Sequence, residues 1–423
     1  MEYSAHRISD GVSYVAIPAD RFKTNELAID FCLPLREDTA AVNALTVSLL
    51  TNSSRRFPDK LSISKELSRL YGASLNTVVQ KIGENHCLRI VMSGLDDRFS
   101  LGDSISVECI RLLMSLVFNP HLDDNGDFFD ADINREKRIL AEKIQSQQNE
   151  KRIYALDRMQ EIMFKNEPFA VNKYGKVEDV ERITPADVKR TWQAMLTTAK
   201  IQITSVGSAD TQAMLEVVNE FFDGLGRKYA PPVKAVFVPR AESVNTVEEA
   251  IDVKQGKLVL GFRVDMEPDD RNTAAMRAFC DVFGGGPYSK LFANVREKMS
   301  LCYYCSARYD RRKSVIIIQC GCERENMDKA INEILNQLEA IKSGDCDEEL
   351  QASKIGLCDA INSAADDSVV LQSWYSNQIT DDVIKTPARS SQENMDVTKE
   401  QVIACASLLS LDTVYKLYAK EEQ

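Results

Sequence analysis

The feature that most constrains this chain is a pattern written twice. "ITPADVKRTW" (Ile183 to Trp192) reads as a helix start. Thr184 is suited to cap it, Pro185 fits the first turn, and Asp187 stands where a capping box wants an acid. An apolar strand, "KIQITSVG", follows from Lys200. Near the C-terminus "VTKEQVIACA" repeats the device with Thr398 and Gln401, and "TVYKLYA" follows as a strand. The two capping threonines lie 214 residues apart in a chain of 423. A second pair agrees. "ELAIDFCLPL" (Glu26 to Leu35) alternates as a half-buried strand ahead of an apolar helix around Ala44 to Leu50, and "KLVLGFRVDM" (Lys257 to Met266) precedes "AAMRAFCDVFGG". A further helix is expected in each half, over 59–71 and 288–298. The longest is expected over Asp132 to Phe164.

Strands therefore come in pairs between helical blocks, which argues against regular βαβ winding. The reading is an α+β fold of two tandem homologous α/β domains, each a mainly antiparallel sheet flanked by helices. The first domain spans 1–225 and the second 246–423. Residues 226–245, with the proline-rich basic run "GRKYAPPVKAVFVPR", form a linker.

Bulk properties exclude several classes. With 44% hydrophobic and 27% charged residues the chain reads as globular. A net charge of −12 argues against a nucleic-acid partner. No run of 18 apolar residues is present, so no membrane span is expected. The start lacks the basic-then-apolar pattern of a signal peptide. Eleven cysteines without such a signal point to a reducing compartment, hence cytoplasmic localisation and free thiols. The acidic pairs Asp96–Asp97, Asp123–Asp124, Asp269–Asp270 and Asp366–Asp367 read as turn and cap residues.

"FGGGPYSKLFANVREKMSLCYYC" (Phe283 to Cys305) carries the chemistry. It is not a phosphate loop, because Gly-Lys-Ser/Thr is missing after the glycines. Three glycines and Pro287 more simply end one helix and start another. Leu291 and Val295 share a helix face, and Arg296 lies near the helix end. Tyr303 and Tyr304 alternate along an extended strand, so one is expected to pack and the other to line the cleft.

This stretch closely resembles the second-domain signature of the M16 (insulinase, or pitrilysin-like) zinc peptidases. The matching residues are Ser289, Leu291, Phe292, Arg296, Glu297, Lys298, Leu301 and Tyr303. The resemblance implies a tandem α/β duplication forming half of a clamshell. It also implies that Arg296 and Tyr303 bind substrate, holding the peptide carbonyl and stabilising an oxyanion. Both side chains are donors, and donors aimed at developing negative charge lower a barrier.

The family's zinc residues are His-x-x-Glu-His and a distal glutamate, all in the first domain. The corresponding stretch, "VNALTVSLLTNSS" (Val42 to Ser54), contains no His, Glu, Asp or Cys. By alignment the histidine positions fall at Ala44 and Ser48, the glutamate at Val47, and the distal ligand at Lys143 beside Glu142. The zinc site is thus expected to be degenerate, with no metal bound by this chain. The three histidines, His6, His86 and His121, are far apart in sequence. Cys302, Cys305, Cys320 and Cys322 are the rival metal set. Strand alternation puts Cys302 and Cys305 on opposite faces, and buried cysteines acting as small hydrophobes are the simpler reading.

Some M16 peptidases are heteromeric, with zinc on one subunit and the Arg/Tyr pair on the other. The expectation is a catalytically incomplete subunit of the bacterial branch, inactive alone. It would form a heterodimer with a zinc-bearing M16 subunit around a peptide substrate. A homodimer is the alternative state of the isolated chain. The competing function is a non-enzymatic clamshell that binds peptides or scaffolds a complex.

Overall fold

The computed structural model describes residues 2–268 and 271–420, which leaves Asp269 and Asp270 outside the described residues. Its strands are β1 (Ser4–Ser9), β2 (Val12–Pro18), β3 (Thr24–Pro34), β4 (Ser74–Ile82), β5 (Asn85–Leu95) and β6 (Lys200–Gly207), then β7 (Asn245–Ile251), β8 (Lys257–Val264), β9 (Tyr304–Asp310), β10 (Val315–Gly321) and β11 (Leu409–Ala419). The first sheet has the order β1-β2-β6-β3-β5-β4 and the second β7-β11-β8-β10-β9. Without β1, the first order maps strand for strand onto the second. The directions match as well. Within each sheet one pair is parallel, β2 with β6 and β7 with β11, and the others are antiparallel. The repeat is therefore a repeat of topology, in an α+β fold.

Both capping boxes form. Thr184 Oγ1 accepts from the Asp187 N–H at 3.3 Å, and Thr398 Oγ1 accepts from the Gln401 N–H at 3.3 Å. Each boxed helix leads into the strand that pairs with the sheet's central member.

The chain divides into two compact units, each assembled from separated stretches. The first takes residues 1–145, 171–234 and 363–387; the second takes 146–170, 235–362 and 388–423. Residues 226–245 are shared between them. Each unit thus borrows a helix from the opposite half of the sequence.

In the first unit, helices Glu37–Leu49, Ile105–Phe118, Pro185–Thr197 and Thr211–Phe222 cover one sheet face, against Leu27, Ile29, Phe31, Leu88 and Ile203. The borrowed helix Ser368–Ser376 covers the other, setting Leu371 and Tyr375 against Val15, Ile17 and Val206. β3 is therefore buried on both faces and not half-buried as its alternation predicts. Its inward polar residue, Asp30, is the seat of the borrowed helix. Asp30 pairs with the Arg89 guanidinium on β5 and accepts from Ser376 Oγ at 2.6 Å; Arg89 Nη2 donates to Asn377 Oδ1 at 2.9 Å.

The second unit repeats this plan. Helices Thr273–Gly284, Met327–Lys342 and Lys399–Ser407 pack on Leu258, Leu260, Phe262 and Ile318. The borrowed helix is Lys151–Met163, whose Ala155, Met159 and Met163 meet Val259, Ile317 and Tyr415. Gly261 sits mid-strand because a Cβ there would lie 2.4 Å from Met163 Sδ. The single long helix expected over Asp132 to Phe164 is two, Asp130–Asn149 and Lys151–Met163. Glu150 breaks it with extended backbone and caps the second piece by accepting from the Arg152 N–H. The break lets the second helix lie on the second sheet. Beyond it, buried Glu167 takes Arg263 Nη2 at 2.7 Å and pairs with the fully buried Lys313, while Arg263 Nε reaches Asp412 at 2.9 Å.

Each histidine has its own local partner, and the described acidic pairs serve turns and caps. His121 Nδ1 lies 3.0 Å from the Pro58 carbonyl, Asp123 closes a turn on Asn125 and Asp127, and Asp367 caps the Ser368 helix. No helix among the described residues is long and apolar enough to cross a membrane.

Breaking a buried ion pair by removing one partner strands the other charge. Glu167→Ala should therefore cost about 3–5 kcal/mol in urea unfolding. A loss below about 1 kcal/mol would mean that the pairing does not seat the borrowed helix. A second expectation concerns His86, fully buried on β5 with a ring nitrogen 3.2 Å from Asn43 Nδ2. Burial lowers its pKa from 6.5 to about 4. Between these values the unfolded chain binds a proton that the folded chain refuses. Stability should fall as the pH drops through that window, by roughly 3 kcal/mol from this group. His86→Gln should flatten the acid limb of stability against pH; an unchanged limb would contradict the assignment.

Candidate functional site

The signature segment begins where helix Thr273–Gly284 ends. The three glycines keep negative φ, so they do not serve a left-handed turn. Gly284 is required by space: a Cβ there would stand 2.7 Å from the Ala307 N on β9. The chain then re-enters a helix with wide turns. Residues Phe292–Lys298 form a π-helix, closed by the Met299 N–H on the Asn294 carbonyl at 3.0 Å. This departs from the ordinary α-helix expected over 288–298. Such turns cost hydrogen-bond quality and recur at functional sites.

The segment is well anchored. Leu291 and Val295 are fully buried, as the spacing predicts, and Ser289 is too. Lys290 Nζ pairs with Asp345 and Glu349, each at 3.0 Å, and the Asn294 amide donates to Gln337 Oε1 at 3.0 Å. Sequence reasoning passed over Lys290 and Asn294, because their partners lie 43 or more residues downstream.

Arg296 stays outside this anchoring. Its side chain is 41% exposed, its guanidinium carbon lies 4.5 Å from the Phe292 ring centroid, and its Nε is 3.6 Å from Glu297 Oε1. An exposed contact between sequence neighbours adds little stability. Tyr303 is 64% exposed and held by its backbone, whose N–H donates to the Gly321 carbonyl at 2.9 Å. Tyr304 is the tyrosine that packs. Its ring lies where a Cβ on Gly321 would be, 2.3 Å away, and the Arg152 guanidinium covers it at 4.5 Å. Burial pushes its hydroxyl up to about 12. Two donors, a guanidinium and a phenol, are thus presented to solvent from one rigid segment.

The chain bends at Tyr303, ahead of β9. Ideal strand alternation therefore does not extend from β9 to Cys302, and Cys305 pairs with Cys320 across the β9–β10 ladder.

The first-unit positions have a different character. Ala44 and Val47 lie inside the main core and Ser48 is half-buried, all on helix Glu37–Leu49. Lys143 is exposed on helix Asp130–Asn149, with its Nζ 4.4 Å from the Tyr174 ring centroid. Glu142 is exposed and lies 3.9 Å from Arg138. The buried carboxylate of this helix is Glu136, which accepts from Asn52 Nδ2 at 2.8 Å. Two apolar side chains, a hydroxyl and an ammonium do not fit a zinc ion. Among the described residues, no group of three or more His, Cys, Asp or Glu is arranged to hold a metal.

Comparison with known proteins agrees with this geometry. Residues 182–357 match the family model described as the peptidase M16 inactive domain. The chain is 28% identical to a Bacillus subtilis protein named probable inactive metalloprotease YmfF, over 97% of this chain and 96% of that one. A conserved Enterococcus faecalis protein of known structure shares 25% identity at a TM-score of 0.90, over 100% of this chain and 99% of that one. A Pseudomonas fluorescens structure described as a peptidase M16 inactive domain has the same fold at 16% identity and a TM-score of 0.80, with both chains covered completely. Residues 182–357 thus match the peptidase M16 family, the chain as a whole is similar to a protein named as an inactive metalloprotease, and its sequence lacks the His-x-x-Glu-His motif.

Proposed function

We propose that this chain is a catalytically incomplete M16 subunit that lends Arg296 and Tyr303 to a zinc-bearing partner subunit for peptide cleavage. One observation carries the reading. The two donors remain exposed on a segment whose other members are buried or ion-paired, while the zinc positions hold no ligand. A structural role for Arg296 would call for a buried carboxylate, and its ion pair is with a neighbouring, exposed Glu297. The chain's own part is to bind and orient. The guanidinium and the phenol hydroxyl donate to a peptide carbonyl, and both contacts strengthen as charge develops on that oxygen. The pair is a heterodimer in this reading, in the bacterial cytoplasm, and the chain by itself cleaves nothing.

The test is substitution in the reconstituted pair, using an M16 protein with an intact His-x-x-Glu-His motif. A neighbouring gene of similar length is the natural source. Arg296→Ala and Tyr303→Phe should each lower kcat/KM by about 10²–10³-fold. The chain's own unfolding should shift by less than about 0.5 kcal/mol, and assembly with the partner should persist. Full activity in both variants would sink the reading and leave a peptide-binding or scaffolding protein.

A further inference from the structure

A cavity of about 510 Å³ opens in the second unit, and neither Arg296 nor Tyr303 lines it. It lies between helix Thr273–Gly284, the edge strand β9 with the turn that follows it, and helix Asp347–Ala365. Three guanidinium groups line it, those of Arg277, Arg308 and Arg311, and Ala307 and Leu357 supply an apolar wall. Two carboxylates line it as well, and both are engaged. Asp281 accepts from the Tyr288 hydroxyl at 2.5 Å, and Asp310 accepts from the backbone N–H groups of Arg312 and Lys313 at 2.9 and 3.2 Å.

Arg277 is the unusual member of this wall. It is half-buried, and its Nη1 donates to the neutral Ser390 hydroxyl at 3.2 Å. Among the described residues it makes no ion pair. Glu393, the acid that offsets its charge, is paired with Arg389 at 3.1 Å. Burial and the Arg311 charge hold its pKa below the ordinary arginine range. A charge withdrawn from water is normally paired. Near Arg277 the Tyr309 hydroxyl is buried with no hydrogen-bond partner among the described residues, and burial keeps it protonated. The neighbouring Ser314 hydroxyl is likewise unbonded. Arg277 thus keeps an uncompensated charge, and Tyr309 a hydroxyl without an acceptor, beside one cavity.

We propose that this cavity binds a small organic anion, with Arg277 and Arg308 gripping a phosphate or carboxylate head group and Tyr309 donating to it. A guanidinium fork fits either head group through paired N–H bonds. Arg308 is exposed and makes no ion pair among the described residues, so its fork is open to a ligand. The volume falls within the roughly 300–1,000 Å³ of ordinary ligand pockets. It therefore admits a body behind the head group, which Ala307 and Leu357 would cover. The chain carries a net charge of −12, so selection for an anion here comes from these local donors and not from the overall field. Binding would give Arg277 its counter-charge.

The experiment is calorimetric titration of the full chain, without a partner, with phenyl phosphate, with phenylacetate and with neutral benzyl alcohol. The wild-type chain should bind at least one of the two anions saturably, with a Kd below about 1 mM, and the tighter of the two identifies the head group. Benzyl alcohol should not bind. Arg277→Gln should weaken the binding by about 10–100-fold. Arg308→Ala, at an exposed position that packing does not use, should weaken it by about 2–5-fold, which keeps the test decisive if Arg277→Gln does not fold. The bound anion should raise the Tm of the wild type and leave that of Arg277→Gln unchanged. No saturable binding of either anion up to about 10 mM, equal affinity in wild type and Arg308→Ala, or equally tight binding of benzyl alcohol would overturn the proposal. These readouts need no peptidase activity, so they hold or fail separately from the proposed function.

Discussion

Each sheet of this protein has two apolar faces to cover, and its own half of the chain covers only one. The second face takes a helix from the opposite half. A buried ionic cluster seats each helix: Asp30 and Arg89 with Ser376 in one unit, Glu167 with Arg263 and Lys313 in the other. Charges taken out of water are tolerated only when paired with good geometry, so these clusters specify where the borrowed helix ends up. The break at Glu150, the mid-strand Gly261 and the polar Asp30 in an apolar strand all follow from this exchange. Each unit is complete only when both halves of the chain are present.

In the function proposed, the anchoring of the signature segment matters. A donor contributes most when it is held before the reaction begins. Leu291, Val295, Lys290 and Asn294 hold the π-helical turn from below, and Tyr304 is clamped between Gly321 and Arg152. Arg296 and Tyr303 are what remains outside. In the first half Ala44, Val47 and Ser48 lie on a largely buried helix, while in the second Arg296 and Tyr303 are exposed.

Much of this was legible in the sequence. Capping boxes depend on residues three apart, so Thr184 and Thr398 announced the duplication locally. Leu291 and Val295 announced their buried face the same way. The exchange was not legible, because Asp30 and Ser376 stand 346 residues apart and no local pattern links them. For the same reason β3 read as half-buried and the Asp132 to Phe164 stretch as one helix. The bend at Tyr303 was not legible either, and it confines ideal strand alternation to β9, beyond Cys302. The π-helix has no residue signature of its own, and it appeared only in the hydrogen bonding.

In the function proposed, this chain supplies donors to an M16 site and binds no metal itself. The most direct measurement is peptide cleavage by the purified chain, alone and mixed with a zinc-bearing M16 partner, with metal content read on the same samples. The account predicts cleavage in the mixture only, with about one zinc per pair and none in the lone chain. Stoichiometric zinc or metal-dependent cleavage in the chain alone would contradict it.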